Sequence, residues 1–319
     1  MILRKHIVYY GNLLRTKFIQ RYVIKYDEHT YSPYFNKSRR YCGRKTLLAD
    51  ETNREIYNRI IEGKPFMVAR YGSTELYSME VFDLEYRTKY DIALYTLTTN
   101  SGFFPKNEKA AQKFSVILAD ASRQVDMLAF WNMFREDYYI KTLMSQETRL
   151  FPLRFLEPWF SANPWTKALY GKKVLVIHPY AESIQHQYAK REELFENPYV
   201  LPEFELYTLK AVQSIGGECD QFSTWFDALE WMTKEALKID FDVALIGCGA
   251  YGMPLAANLK KAKKQAIHMG GILQILFGIK GKRWDSDPIV SKLYNASWIR
   301  PSDSEKPRIA NRIEGGCYW

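Results

Sequence analysis

A glycine-rich motif, GCGAYG at 247–252, has the GxGxxG spacing of loops that bind phosphate. It lies between an apolar strand-like run and a helical pattern, so backbone N–H groups and a helix N-terminus can point at a ligand. We therefore expect Gly247, Gly249 and Gly252 to bind phosphate. The alternative interpretation is that the glycines serve only a tight turn from strand to helix.

A nicotinamide dinucleotide site also requires an acidic residue about 20 positions after the first glycine, where it binds the ribose hydroxyls. The residues at those positions are Ile267, His268 and Met269, none of which carries a carboxylate. The spacing therefore disfavours a Rossmann NAD-dependent oxidoreductase, which we keep as the less favoured alternative. The spacing does not exclude other ligands that contain phosphate.

A second motif, RYGSTE at 70–75, follows the strand-like run PFMVAR. Arg70, beside the turn at Gly72, can hold a diphosphate, and Glu75 can reach a divalent metal such as Mn²⁺ or Mg²⁺. The alternative interpretation of RYGSTE is an ordinary helix N-terminus, with Ser73 as the N-cap and an acidic residue in the first turn.

Two histidines, His178 and His268, end strand-like runs on the side of the sheet where ligands are expected. Both are candidate catalytic residues, because a histidine there can accept a proton from a hydroxyl or bond a phosphate. The alternative for each is a buried ring with a packing role. Tyr180, Ser183 and Gln187 follow the first histidine and are candidates for binding sugar hydroxyls.

Two further features complete the candidate phosphate site. Gly270 and Gly271 follow His268 and are added to the phosphate-binding glycines. Lys280, Lys282 and Arg283 form a basic group that suits phosphate and solvent equally.

The scaffold that positions these motifs follows from the hydrophobic pattern. Predicted strands cover 65–70, 125–131, 173–178, 242–247 and 265–270; predicted helices cover 106–124, 182–195, 224–239 and 253–264; and 154–173 is predicted to be an irregular connection. Apolar strands that alternate with helices indicate an α/β fold, with a Rossmann-like, mostly parallel sheet and helices on both faces. Ligands bind beyond the carboxyl ends of such strands, where the motifs lie.

The composition is that of a globular protein, with 319 residues, of which 47% are hydrophobic and 25% charged. The four cysteines lie far apart and lack the spacing of a zinc site, which suggests reduced thiols. No apolar run approaches the roughly 20 residues that cross a bilayer, and the N-terminus lacks the pattern of a signal peptide. We therefore expect a cytoplasmic protein.

The net charge of +9 is concentrated at the N-terminus: the first 45 residues hold 11 basic and 2 acidic side chains, and the rest hold 34 of each. We divide the chain into a basic, aromatic-rich N-terminal arm, residues 1–46, and a single α/β domain, residues 47–319. Such an arm can bind an anionic membrane surface and place the protein peripherally at its inner face. A helix packed on the body is the alternative. Nucleic acid is not expected as a partner, because no recognition motif accompanies the charge.

The combination of RYGSTE with LIGCGAYGMPLAANLKKAKKQAIHMGGILQILFGIKGKRW at 245–284 resembles the bacterial GT-D type glycosyltransferases and their GT-D-like relatives. The resemblance covers 48–284. It implies a Rossmann-like domain, a nucleotide-sugar donor, and a metal held at an Arg-Phe/Tyr-Gly-Asp-x-Glu signature. Arg70, Tyr71, Gly72 and Glu75 match this signature, whereas Ser73 replaces its aspartate.

The function that the resemblance implies is transfer of a sugar from a nucleoside-diphosphate donor to a glycan or lipid-linked acceptor, in cell-surface polysaccharide assembly. The lost aspartate leaves a second possibility within the same family. A non-catalytic GT-D-like partner in glycan assembly would share the fold and lack the transfer activity.

Overall fold

The computed structural model describes residues 11, 14, 40–133, 135–217, 219–307 and 318. Its centre is a seven-stranded sheet in which all paired strands are parallel. The strands of this sheet are β3 (Met67–Ala69), β4 (Met127–Phe130), β5 (Arg149–Pro152), β6 (Lys173–His178), β7 (Glu205–Lys210), β8 (Val243–Ile246) and β9 (Gln265–His268). A separate antiparallel hairpin, β1 (Arg40–Tyr41) and β2 (Arg44–Lys45), precedes them.

Helices cover both faces of the sheet. They are α1 (Ala49–Glu62), α2 (Ser73–Asp83), α3 (Tyr90–Ser101), α4 (Glu108–Ser122), α5 (Glu136–Leu143), α6 (Ala181–Tyr188), α7 (Trp225–Lys238), α8 (Gly252–Lys261), α9 (Leu273–Leu276) and α10 (Lys282–Asp285). The described part of the chain contains no helix with both the length and the apolar composition needed to cross a membrane.

Strand β6 shows why the apolar runs are continuous. Leu175 and Ile177 pack into the core on one face, with α2, α3, α4, α7 and α8. Val174 and Val176 pack into the core on the other face, with α1, α6 and α9. Successive side chains of a strand point to opposite faces, so a strand covered on both sides must be apolar at every position. The predicted α/β fold with a parallel, Rossmann-like sheet is thereby confirmed.

The strand order is β5-β4-β3-β9-β8-β6-β7. The first strand of the sheet, β3, therefore lies next to the last, β9, and Val68 is opposite Ile267. From β3 the chain runs outward to β4 and β5, and it later returns on the other side through β8 to β9. The order reverses between β3 and β9, which is where a doubly wound sheet opens a crevice beyond its strand ends.

The structure agrees with some of the other element predictions and differs from others. The segment 154–173 contains short 3₁₀ helices at Pro158–Phe160 and Trp165–Leu169, which agrees with an irregular connection. The helix predicted over 182–195 ends earlier, at Tyr188, and is followed by a 3₁₀ turn. Strands β5 and β7 had no counterpart among the predicted strands.

The described end of the N-terminal arm packs on the body. Tyr41 stacks on Phe130 with ring centroids 4.2 Å apart, and its hydroxyl donates to Glu136. Arg44 donates to the backbone carbonyl groups of Ile140, Met144 and Ser145. Residues 40–46 thus belong to the packed structure. The rest of the predicted arm, 1–39, lies outside the described residues apart from positions 11 and 14.

Candidate functional site

A cavity of about 400 Å³ opens beyond the carboxyl ends of β3, β6, β8 and β9. This volume falls within the range of small-molecule sites. The segments singled out in the sequence come together here, and all the residues predicted to be catalytic, to bind phosphate or to hold the metal line the cavity except Gly252. The cavity therefore lies at the reversal of strand order, where ligands of this fold class bind.

Arg70 follows β3 directly, and its partly buried guanidinium lies over the Trp131 ring, 4.8 Å from the centroid. The guanidinium forms no hydrogen bond or ion pair with any described residue. Burial lowers the pKa of Arg70, and the nearby Glu75 carboxylate acts in the opposite direction. Since arginine remains protonated throughout the physiological range, the cavity contains a fixed positive charge.

A second guanidinium reaches the cavity from α10. Arg283 donates to the Tyr318 hydroxyl at 3.2 Å and lies over the same ring, 4.7 Å from the centroid. Its charge contributes to the lowered pKa of Arg70, so the two guanidinium groups act on each other across the cavity. The cavity therefore presents two guanidinium groups, which suit a phosphate or diphosphate.

Helix α2 begins at Ser73, and Gly72 is its N-cap. The prediction of Ser73 as the N-cap is therefore wrong by one residue. Glu75 folds back over the N-cap, because a Cβ atom added at Gly72 would overlap the Glu75 carboxylate. Glycine at this position gives the carboxylate room beside the Arg70 segment.

The GT-D resemblance implies a divalent cation at Glu75, and the described residues do not fit one. Glu75 is the only carboxylate among the described residues that line the cavity. No group of three or more His, Cys, Asp or Glu side chains suited to a metal occurs among the residues described. Arg70 and Arg283 already give this lining a net positive charge, which repels a cation and attracts an anion.

His178 ends β6, and its Nδ1 accepts a hydrogen bond from the Tyr180 backbone N–H at 3.0 Å. Burial lowers the pKa of His178 to about 3, so the ring is neutral at neutral pH. With Nδ1 acting as an acceptor, the proton of the neutral ring is on Nε2. His178 is therefore arranged to donate a hydrogen bond, which does not fit the expected role of proton acceptor.

His268 ends β9 and is also buried. Burial and the neighbouring Arg70 charge lower its pKa to about 3. Its Nδ1 atom has no hydrogen-bond partner within the described part of the chain. A buried polar atom without a partner is costly, so this nitrogen is a destabilising feature of the strand end.

The glycines have packing roles as well as a position at the cavity. A Cβ atom at Gly247 would lie 2.8 Å from both the Gly270 carbonyl oxygen and the His178 ring, so three strand ends meet there. Gly249 has a φ of 57°, which a side chain would strain. Gly252 packs against the His268 ring. The turn interpretation of GCGAYG therefore has direct structural reasons, and Gly252 is the member that does not line the cavity.

Two of the residues proposed for sugar binding serve the structure instead. Ser183 and its backbone N–H donate to the buried Glu305 carboxylate. Gln187 donates to the carbonyl groups of Gly278 and Ser297. Of the three residues proposed for sugar binding, only Tyr180 lines the cavity. The assignment of Ser183 and Gln187 is therefore corrected.

Several lining residues were not among the candidates named from the sequence. Trp131 lies just after β4, and its Nε1 donates to the Tyr71 carbonyl at 3.1 Å. Asn100 and Gln213 add neutral polar groups, and Tyr318 lines the cavity beside Arg283. The strand-end rule points to Trp131, whereas the other three come from segments that only the folded chain brings together.

Comparisons of the chain with protein-family models, with curated proteins and with solved structures find no match. The geometry of the cavity is therefore the basis for a functional proposal.

Proposed function

We propose that this protein is a glycosyltransferase of the GT-D type, which moves a sugar from a nucleoside-diphosphate donor to a glycan or lipid-linked acceptor in cell-surface polysaccharide assembly. One observation carries the proposal: a guanidinium without an ion-pair partner among the described residues, Arg70, lies in a cavity at the reversal of strand order. That position and that charge suit the diphosphate of a nucleotide sugar.

The lining residues suggest how a donor is bound. The diphosphate lies beside Arg70 and Arg283. The lining also presents Asn100, Gln213 and the Nε2–H group of His178, which suit hydroxyl groups of a sugar.

The chemistry then needs a stabilised leaving group and a proton acceptor. The bond from the anomeric carbon to the diphosphate oxygen breaks, and a bond from the acceptor oxygen to the same carbon forms. The guanidinium groups of Arg70 and Arg283 stabilise the negative charge that develops on the departing diphosphate. The acceptor proton passes to Glu75, the only carboxylate among the described lining residues.

The proposal is tested by calorimetric titration of the full chain with UDP, GDP, CDP and ADP. We expect at least one of them to bind, and the variant Arg70→Gln to weaken binding by about tenfold to a hundredfold, since a hydrogen bond to a charged group is lost. Arg87→Gln is the matched control, because Arg87 is exposed and does not line the cavity. Absence of binding by every nucleotide would contradict the proposal.

The non-catalytic alternative is favoured by Ser73, which replaces the signature aspartate. Transfer of labelled sugar separates the two functions. A glycosyltransferase loses transfer and keeps nucleotide binding in the variant Glu75→Gln, whereas a non-catalytic partner binds nucleotide and transfers no sugar in the unchanged chain. An oxidoreductase is not favoured, because β9 ends at His268, where a dinucleotide site needs a carboxylate.

We also propose that the basic arm holds the protein at an anionic membrane surface on the cytoplasmic side. The surplus of basic side chains before residue 46 supports this, with the remaining residues balanced in charge. Deletion of residues 1–39 removes most of the surplus and keeps Tyr41 and Arg44, which pack on the body. The deleted protein should bind nucleotide and lose salt-sensitive binding to vesicles that contain phosphatidylserine. Unchanged vesicle binding would contradict this role.

A further inference from the structure

Resting on the proposed function, we infer that the donor diphosphate is held directly by Arg70 and Arg283, and that its binding uses no divalent cation. In this arrangement the second guanidinium takes the place that the GT-D signature gives to a metal. Glu75 then acts as a carboxylate beside the ligand and not as a metal ligand.

The guanidinium of Arg70 is positioned to bind an anion. Arg70 leaves β3 at its carboxyl end, and contact with the Trp131 ring restrains the position of the group. Its hydrogen-bond donors are not used by described residues. A planar guanidinium that is already oriented can bind two phosphate oxygens at once, with little further loss of side-chain freedom.

The second guanidinium is held from a separate element. Trp284, the next residue of α10, is buried in the core and anchors this short helix. A Cβ atom at Gly281, the N-cap, would lie 2.7 Å from the Trp284 ring, so the turn packs closely. The Tyr318 hydroxyl and ring then hold Arg283 toward the cavity. Two segments that are far apart in the sequence thus place positively charged side chains, Arg70 and Arg283, in the same cavity.

The charge of the lining selects the ligand. Arg70 and Arg283 contribute two positive charges and Glu75 one negative charge, and both histidines are neutral at neutral pH. A diphosphate is attracted to this net positive lining, whereas an added divalent cation increases its positive charge. The replacement of the signature aspartate by Ser73 acts in the same direction, since it removes a negative charge from the start of α2.

The experiment compares nucleotide binding with and without metal. The full chain is titrated calorimetrically with the nucleoside diphosphate that binds best, once in EDTA and once in Mn²⁺. We expect equal affinity in the two buffers. Arg283→Gln should weaken binding by about tenfold to a hundredfold in both, because a charged hydrogen bond is lost. Lys282→Gln is the matched control, since Lys282 is its exposed neighbour on the same helix and does not line the cavity.

Glu75→Gln provides the decisive comparison. If Glu75 held a cation, this variant would lose affinity in Mn²⁺ and not in EDTA. We expect equal or tighter binding in both buffers, because a negative charge next to the diphosphate is removed. Thermal unfolding of each variant shows whether it is folded, and Arg283→Lys, which keeps the charge, should recover part of the affinity if Arg283→Gln is unstable.

The outcomes separate this inference from the proposed function. Binding that requires Mn²⁺ and is lost in Glu75→Gln would overturn the inference and leave the glycosyltransferase proposal standing. Binding that is indifferent to Arg283→Gln would also overturn the inference. Absence of nucleotide binding in both buffers would overturn the proposed function and the inference together.

Discussion

The guanidinium of Arg70 lies over the indole ring of Trp131, with the Cζ atom 4.8 Å from the ring centroid. The two residues follow neighbouring strands, β3 and β4, whose register places Ala69 opposite Leu128. The indole Nε1 in turn donates to the Tyr71 carbonyl. Trp131 is thereby tied to the segment that carries Arg70, so one residue both stacks on the arginine and fixes its backbone.

Replacement of Trp131 by Ala should weaken nucleotide binding by about twofold to thirtyfold, the equivalent of one cation–π contact. The reason is that the guanidinium loses its fixed orientation. Trp131→Phe, which keeps an aromatic face without the Nε1 donor, should retain most of the affinity. Calorimetric titration measures both variants. Equal loss in the two would show that the hydrogen bond to Tyr71, and not the ring, is what matters.

Replacement of Gly252 by Ala should lower the free energy of unfolding by about 1–3 kcal/mol, the usual cost of overpacking a core. A Cβ atom at this position would overlap the His268 ring. Urea unfolding measures the change. In the double variant with His268→Ala the added methyl group has space, so the two losses should be less than additive. Full additivity would show that the ring and the methyl group do not meet.

Stability should fall as the pH rises from about 4.5 to about 8, in part because of Glu136. Burial raises the pKa of this carboxyl to about 8, so the folded state binds its proton more tightly than the unfolded state does. The free energy of unfolding therefore falls with rising pH across that window, by at most about 1.4 kcal/mol per pH unit for one group.

The variant Glu136→Gln tests this origin of the pH dependence. It cannot ionise and should show a flatter pH profile of urea unfolding between pH 5 and about 8. Glu147→Gln, at an exposed position, is the control and should leave the profile unchanged. Parallel profiles for the Glu136 variant and the unchanged chain would remove Glu136 as the cause.

The His178 ring should stay neutral down to a pH of about 4, with its proton on Nε2, because burial lowers its pKa to about 3. Nitrogen-15 NMR of the ring distinguishes the two nitrogens directly. A depressed pKa means that the unfolded chain binds more protons, so this residue's contribution to stability is lost as the pH falls from about 6.5 towards 3. A ring that becomes protonated near pH 6 would contradict the assignment.

Replacement of Glu305 by Gln should lower the free energy of unfolding by about 1–3 kcal/mol, because a buried charged acceptor is lost. Glu305 accepts hydrogen bonds from the backbone N–H groups of Glu182 and Ser183, at the start of α6. Hydrogen exchange of these two amides should become faster. Asp303→Asn is the control, since Asp303 is exposed and pairs only locally with Lys306. Equal effects of the two variants would argue against this role.

Much of the sheet could be predicted from the sequence, for a physical reason. Strands β6, β8 and β9 are covered on both faces, so their residues are nearly all buried and their runs stand out. Strand β7 lies at the edge, and its ends, Glu205 and Lys210, are exposed. Its polar pattern resembles that of a loop. Strand β5 forms the other edge of the sheet and ends in Pro152. In a sequence, a proline argues against a strand at that position.

The site could be predicted only in part. Arg70, Glu75 and the two histidines follow strand ends, and a parallel sheet brings such positions together whatever the loops do. The hydrogen bond from the Tyr180 backbone N–H to Nδ1 of His178 depends on the local backbone geometry, which the residue types alone do not reveal. Tyr318 reaches the cavity from the far end of the chain, and no local pattern reports that contact.

The pairing of Val68 with Ile267 also determines when the cavity can exist during synthesis. A ribosome releases β3 early, and that strand has no neighbour on its β9 side until Gln265–His268 have been translated. A nascent or prematurely terminated chain that lacks β9 therefore leaves the edges of β3 and β8 open, and open strand edges promote aggregation. Ligand binding thus becomes available only after β9 has been inserted, and it reports that the sheet is completely folded.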